Sequence, residues 1–143
     1  MINLLTAIMS KITTGPSALS SDVGGRIFLD QAPDGVEFPY VVFFIVSGIP
    51  DDVFAKKGRS ILIQFSLFSA SAGATEITTI YRDLKALFDE CAMTIPPTGT
   101  ETDKLVWMKR TNLTTMVEEI TVADATQTVK HWAVDFEVVT QEV

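Results

Sequence analysis

Ile2, Leu5, Ile8, Met9 and Ile12 recur at three- and four-residue steps. That spacing predicts an amphipathic first helix, ended by Gly15-Pro16. Ser17 to Gly25 is mostly small and polar and reads as a loop. Arg26 to Leu29 is a short strand candidate, and Ala32 to Gly35, punctuated by Pro33 and Gly35, is a turn. Tyr40 to Val46 is uniformly apolar and rich in β-branched and aromatic residues. At this length it reads as a strand buried on both faces and central in a sheet.

Gly48 to Gly58 reads as a polar loop, long for a hairpin connection and of the kind used for contacts. In the next strand, Ser60 to Ser69, Ile61, Ile63, Phe65 and Leu67 form one face. Leu62, Gln64, Ser66 and Phe68 form the other. Ser71 to Ala74 opens a second helix, whose apolar stripe is Ile77, Ile80, Tyr81, Leu84, Leu87, Phe88 and Cys91. Pro96-Pro97 stops it, and Thr98 to Asp103 is a second polar loop. Lys104 to Met116 reads as a strand bent or bulged near Asn112, and Ala123-Asp124-Ala125 as the turn after it. A final strand spans about Thr126 to Thr140, where Trp132, Val134, Phe136 and Val138 alternate with His131, Ala133, Asp135 and Glu137.

The predicted order is helix, strand, strand, strand, helix, strand, strand. It gives a single α+β domain over residues 1–143: an antiparallel or mixed sheet of about five strands with two helices packed on one face. A chain of 143 residues, 47% hydrophobic and 20% charged, suits one globular core. The net charge of −7 argues against a surface that coats nucleic acid, which needs clustered Lys and Arg. It leaves room for DNA to pass a negative wall without sticking.

The single cysteine excludes an intrachain disulfide. The N-terminus lacks a basic segment before its apolar run, so a signal peptide is not expected. The longest apolar run, Tyr40 to Val46, is far short of the roughly 20 residues of a membrane helix. Synthesis and folding in a reducing cytoplasm is the expectation, which empties the Asn112-Leu113-Thr114 sequon of meaning.

Candidate chemistry is sparse. His131 has no nucleophile or acid tied to it by sequence and reads as a surface or interface residue. Cys91, in an apolar stripe after Asp89 and Glu90, reads as a small buried hydrophobe and not a reactive thiol. Asp51-Asp52 and Glu118-Glu119 are adjacent pairs. Neighbouring strand residues point to opposite faces, so neither pair makes an opposed acid/base couple or a full metal site. Gly24-Gly25 lacks a following Lys-Ser/Thr and reads as a turn. The one basic cluster, Lys56-Lys57-Gly58-Arg59, is too short to bind DNA alone. With Asp51 and Asp52 it could form salt bridges to a neighbouring subunit. Phe54, an aromatic inside a polar loop, either tucks back or anchors a partner. Asp51, Asp52, Phe54, Lys56, Lys57 and Arg59 are therefore the candidate interface. No cofactor, metal or catalytic residue is expected.

Three segments carry a resemblance. They are Gly25-Arg26-Ile27-Phe28 through Pro33 to Phe38-Pro39-Tyr40-Val41-Val42; the strand Ile61 to Phe68 passing into the helix around Ile77 to Phe88; and Trp132-Ala133-Val134-Asp135-Phe136-Glu137-Val138. In this order they resemble the tail terminator (tail completion, head–tail joining) proteins of long-tailed bacteriophages. The Thr98 to Asp103 loop looks longer than that family's pattern. The resemblance implies a structural virion protein with no enzymatic activity. It implies a hexameric ring that ends the tail tube at the head–tail junction, with the tube protein on one side and the head-completion or connector protein on the other. DNA would pass through the hole without sequence-specific binding. Assembly would occur in the host cytoplasm, with no membrane involved. Six copies at −7 each would carry −42, so the lumen is expected to be negative. The alternatives are a tail tube or head-completion protein, a small ligand-binding or enzymatic α+β domain, and, more weakly, a toxin–antitoxin or regulatory module.

Overall fold

The computed structural model describes residues 2–14, 17–50, 58–97, 102–122 and 125–143. Its elements run α1 (Ile2–Thr13), α2 (Ala18–Asp22), β1 (Ile27–Leu29), β2 (Tyr40–Pro50), β3 (Gly58–Ser69), α3 (Thr75–Phe88), β4 (Asp103–Val122) and β5 (Ala125–Glu142). The strands form one mixed sheet in the order β1-β2-β3-β5-β4. Only β1 and β2 pair in parallel; every other pair is antiparallel. The α+β class, the sheet and the helices on one of its faces are as the sequence predicts.

The core lies between that face and the helices. Leu4, Ala7, Ile8 and Ile12 of α1, Leu19 of α2, and Ile77, Ile80, Leu84 and Phe88 of α3 are buried against the sheet. They meet Val41 and Phe43 of β2, Ile61, Ile63, Phe65 and Leu67 of β3, and Val134, Phe136 and Val138 of β5. The strict two-residue alternation of β3 and β5 places these side chains on one face. Phe65 is central: its ring stacks on Phe43 at 5.4 Å and meets Phe88 at 5.2 Å and Phe136 at 5.5 Å.

Several local expectations change. Part of the predicted loop after α1 is the short helix α2. Ser17 caps it by accepting the Ser20 N–H, and Leu19 and Val23 bury their side chains, which overrides the small polar composition around them. Gly24 and Gly25 follow with φ of 59° and 75°, a turn as read.

Strand β2 runs on to Pro50 and is buried on both faces only in its first half. Val41, Val42 and Phe43 are buried, whereas Val46 and Ile49 are exposed, because no further described strand covers the outer side of β2 past Phe43. The helix α3 starts at Thr75 and ends at Phe88, so Cys91 lies beyond it. The bulge foreseen near Asn112 is present as a register shift between Arg110 and Asn112. Strand β4 continues past Met116 to Val122, so β4 and β5 extend as a two-stranded ribbon beyond β3, whose pairing with β5 ends at Ser69 and Lys130. Most of the Thr98 to Asp103 loop, and Ala123 and Asp124 of the last turn, lie outside the described residues.

Candidate assembly surfaces

The segment that carried the resemblance is a clasp between β1 and β2. Val41 N–H donates to Arg26 O at 3.0 Å, and Arg26 Nε donates to Pro39 O at 3.0 Å. Asp30, at a φ of 64°, donates its N–H to Phe43 O and ends the parallel pair. The chain thus returns from β1 to β2 within about ten residues without a crossover helix, using the Pro33–Gly35 turn.

The face of the sheet turned away from the helices carries no covering element among the described residues. A row crosses it at one level: Tyr40 opposite Phe68, Phe68 opposite His131, and His131 opposite Met116. The rings stack, Tyr40 on Phe68 at 4.7 Å and Phe68 on His131 at 4.3 Å, and Phe38 extends the row to 5.3 Å from Tyr40. His131 Nδ1 lies 3.1 Å from Glu118 Oε1. Burial, and then the Glu118 charge, push the Tyr40 hydroxyl above its usual range. The same face carries two acidic side chains held by hydrogen bonds: Gln64 Nε2 donates to Asp135, and Ser60 Oγ donates to Glu137. His131 therefore lies on the uncovered face, stacked on Phe68 and paired with Glu118.

Of the candidate interface residues, Arg59 is exposed at the start of β3, opposite Pro50 on β2 and Thr140 on β5. Asp51, Asp52, Phe54, Lys56 and Lys57 lie outside the described residues. Cys91 is half-buried rather than a core residue. Burial raises its thiol, with Lys11 opposing the shift. It borders a groove of about 410 Å³ with Glu90, Val106, Trp107, Met108 and Lys109. No group of three or more His, Cys, Asp or Glu among the described residues is arranged to hold a metal. No described helix is long and apolar enough to cross a membrane.

The exposed large hydrophobics sit mainly on three strands: Leu29 on β1, Val46 and Ile49 on β2, and Val106, Trp107, Met116 and Val117 on β4. Sequence reading missed this. Each of these residues looked like an ordinary strand position, and their exposure follows from which strands end up at the sheet's edges.

The fold and these surfaces define a small α+β domain whose notable features are contact faces and strand edges. The sequence matches the family described as tail completion protein gp17 over residues 13–141, and the chain belongs to that family. It is a structural component of a phage-type tail. No curated protein sequence matches the chain. Among solved structures, a chain from the virion of a native gene transfer agent (GTA) particle shares the fold. Its TM-score is 0.70 at 14% identity, covering 96% of this chain and 94% of that one.

Proposed function

We propose that this chain is the subunit of a ring, hexameric in the simplest form, that ends the tail tube and joins it to the head connector while DNA passes through. The observation that carries the reading is the family match over residues 13–141. The shared fold with a chain of a GTA virion supports a place in a particle. The tube protein would bind one side of the ring and the head-completion or connector protein the other. The role is architectural and calls for no catalysis or cofactor. Assembly would take place in the host cytoplasm.

The helix-free face supplies the proposed DNA-facing wall. Asp135 and Glu137 lie on it, and the chain's −7 charge makes such a wall repel phosphates and avoid sticking. The hairpin around Asp51, Asp52, Phe54, Lys56, Lys57 and Arg59 remains the proposed contact to a neighbouring subunit or ring.

Gold labelling of an affinity-tagged copy on assembled particles, read by electron microscopy, tests the assignment. One cluster at the head–tail junction is expected. Label along the tail would make the chain a tube protein. Particles without label would remove the structural reading, and a ring structure with a basic lumen would remove the proposed wall.

A further inference from the structure

Strands β4 and β5 outrun the sheet that supports them. The pairing of β3 with β5 stops at Ser69 opposite Lys130, while β4 and β5 go on pairing to Val122 opposite Ala125. From Glu118 opposite Val129 onward they form a ribbon with no third strand among the described residues. A two-stranded ribbon is marginal in water and gains from a surface that covers it. At its root Val117 is exposed at 70%. Val117 lies opposite Lys130, and Lys130 opposite Ser69, two residues on from the core residue Leu67. Val117 therefore faces the helix side of the sheet, and Glu119, two residues further along β4, shares that face.

The base of the same strand is its counterpart. Trp107 and Lys109 lie opposite Val139 and Glu137, on the helix-free face, and Lys104, opposite Gln141, shares it. Val106 and Trp107 are exposed at 50% and 38% and border the groove of about 410 Å³. Lys104 and Lys109 are exposed, and neither forms an ion pair with a described residue. The neighbouring acids are turned elsewhere or held: Asp103 points to the other face, Ser60 Oγ donates to Glu137, and the Arg110 N–H donates to Asp89. Glu90 is the one acid on the groove wall. Trp107 and Val117 are separated by about 30 Å of extended strand, so one copy cannot bring them together.

We propose that the ribbon root of one copy lies on the base of β4 in a second copy, Val117 against Trp107 and Glu119 beside Lys109. The inference rests on the ring reading above and names a joint between its subunits. Three features single out a second copy as the occupant. Both patches carry apolar side chains that the fold leaves in water. Their spacing agrees: Val117 and Glu119 are two residues apart on one face, as are Trp107 and Lys109, so each pair spans about 7 Å. Their charges are opposite, and Glu119, like the two lysines, has no ion-pair partner among the described residues. Elsewhere a chain of net charge −7 repels an acidic ribbon; at Lys104 and Lys109 it does not.

The faces also suit repetition. The helix side of one ribbon covers the helix-free side of the next base, so successive copies overlap in the same sense, like shingles. The two patches differ, which makes the contact heterologous, and rotation from copy to copy closes it into a ring. Asp135, at the level of Asn112, lies outside the overlap and stays on the proposed wall.

Paired cysteines in a Cys91→Ser background test the contact, since Cys91 borders the same groove as Trp107. Val117→Cys with Trp107→Cys is expected to give a ladder of covalent multimers on mild oxidation, read on particles and on the concentrated purified chain. Glu119→Cys with Lys109→Cys is a second pair at the same joint, in case the first disturbs folding. Val117→Cys with Thr6→Cys, on the exposed side of α1, is the collision control and is expected to give no ladder. A ladder from either joint pair that the control does not match supports the contact. No ladder from either pair in both settings, or an equal ladder from the control, overturns it. Gold label on the unsubstituted chain judges the ring reading separately. Label at the junction with no ladder keeps the ring and removes this joint; a ladder without junction label keeps the joint and removes the ring's assigned place.

Discussion

Asp22 at the end of α2 and Asp83 on α3 bring two carboxyl groups together, and their environments push them in opposite directions. Burial, followed by the hydrogen bond and charge of Asp83, pushes the Asp22 carboxyl up to about 6. The hydrogen bond from Asp22 holds Asp83 below the usual carboxylate range, helped by Arg82, whose Nε is 3.3 Å from Asp83 Oδ1. Asp22 Oδ2 is buried with no other donor facing it, so a proton on Asp22 turns an orphaned oxygen into a donor.

The sign of the pH dependence follows. A folded value raised from 3.8 to about 6 means the native state binds the extra proton. Its stabilisation is complete below the unfolded value and is lost as pH rises through about 6. Asp83, lowered, contributes in the opposite sense and loses its share only as pH falls below the ordinary carboxylate range. The pair therefore favours the fold most between these limits. We expect the melting temperature to fall between about pH 5 and about pH 7.5 by the equivalent of about 1 kcal/mol, allowing for solvent screening. Asp22→Asn should flatten that fall and melt higher than the parent at the upper end of the range. A thermal denaturation series in matched buffers reads both.

Phe65 joins three aromatic neighbours on β2, α3 and β5 and is fully buried. Phe65→Ala leaves a cavity that those three elements cannot collapse together, and should cost about 3–5 kcal/mol. Phe68→Ala, on the uncovered face, should cost less than Phe65→Ala because Phe68 is only partly buried. Chemical denaturation of both variants checks the order.

Arg26 holds the β1–β2 clasp from both its backbone and its side chain. Arg26→Ala removes the bond to Pro39 O and should weaken the clasp by about 1–2 kcal/mol. The readout is local. The Val41 amide, which donates to Arg26 O, should exchange about tenfold faster, while core amides of β3 keep their protection. Unchanged exchange at Val41 would show that the turn alone aligns the two strands.

Cys91 offers a chemical probe of the groove beside β4. With its thiol raised by burial, it should react with a disulfide reagent at mildly alkaline pH more slowly in the folded chain than after denaturation. If the two rates match, the thiol is not shielded as the structure places it.

The sequence made the elements legible wherever one period dominated. The faces of β3 and β5 and the stripe of α3 through Phe88 follow from spacing alone. It was silent where the outcome depends on neighbours. Val46 and Ile49 continue an apolar run that looks central, yet β1 is only three residues long and leaves them at an edge. Leu19 and Val23 are two apolar positions in a polar stretch, and only the core beneath them draws out α2. Asp22 and Asp83 are far apart in sequence and meet because α2 packs on α3. Of the candidate interface residues, only Arg59 falls among the described residues.

Strand β5 follows both β3 and β4 in the chain, yet it lies between them in the sheet. Until Glu142 has been made, those two strands have nothing between them, and α3 rests on a sheet with a missing centre. A nascent chain therefore cannot display a finished pair of edges early. Its fold is completed by contacts of high sequence separation, which form slowly. Loss of β5 would therefore split the sheet in two, leaving β4 with no partner strand and the core under α3 open.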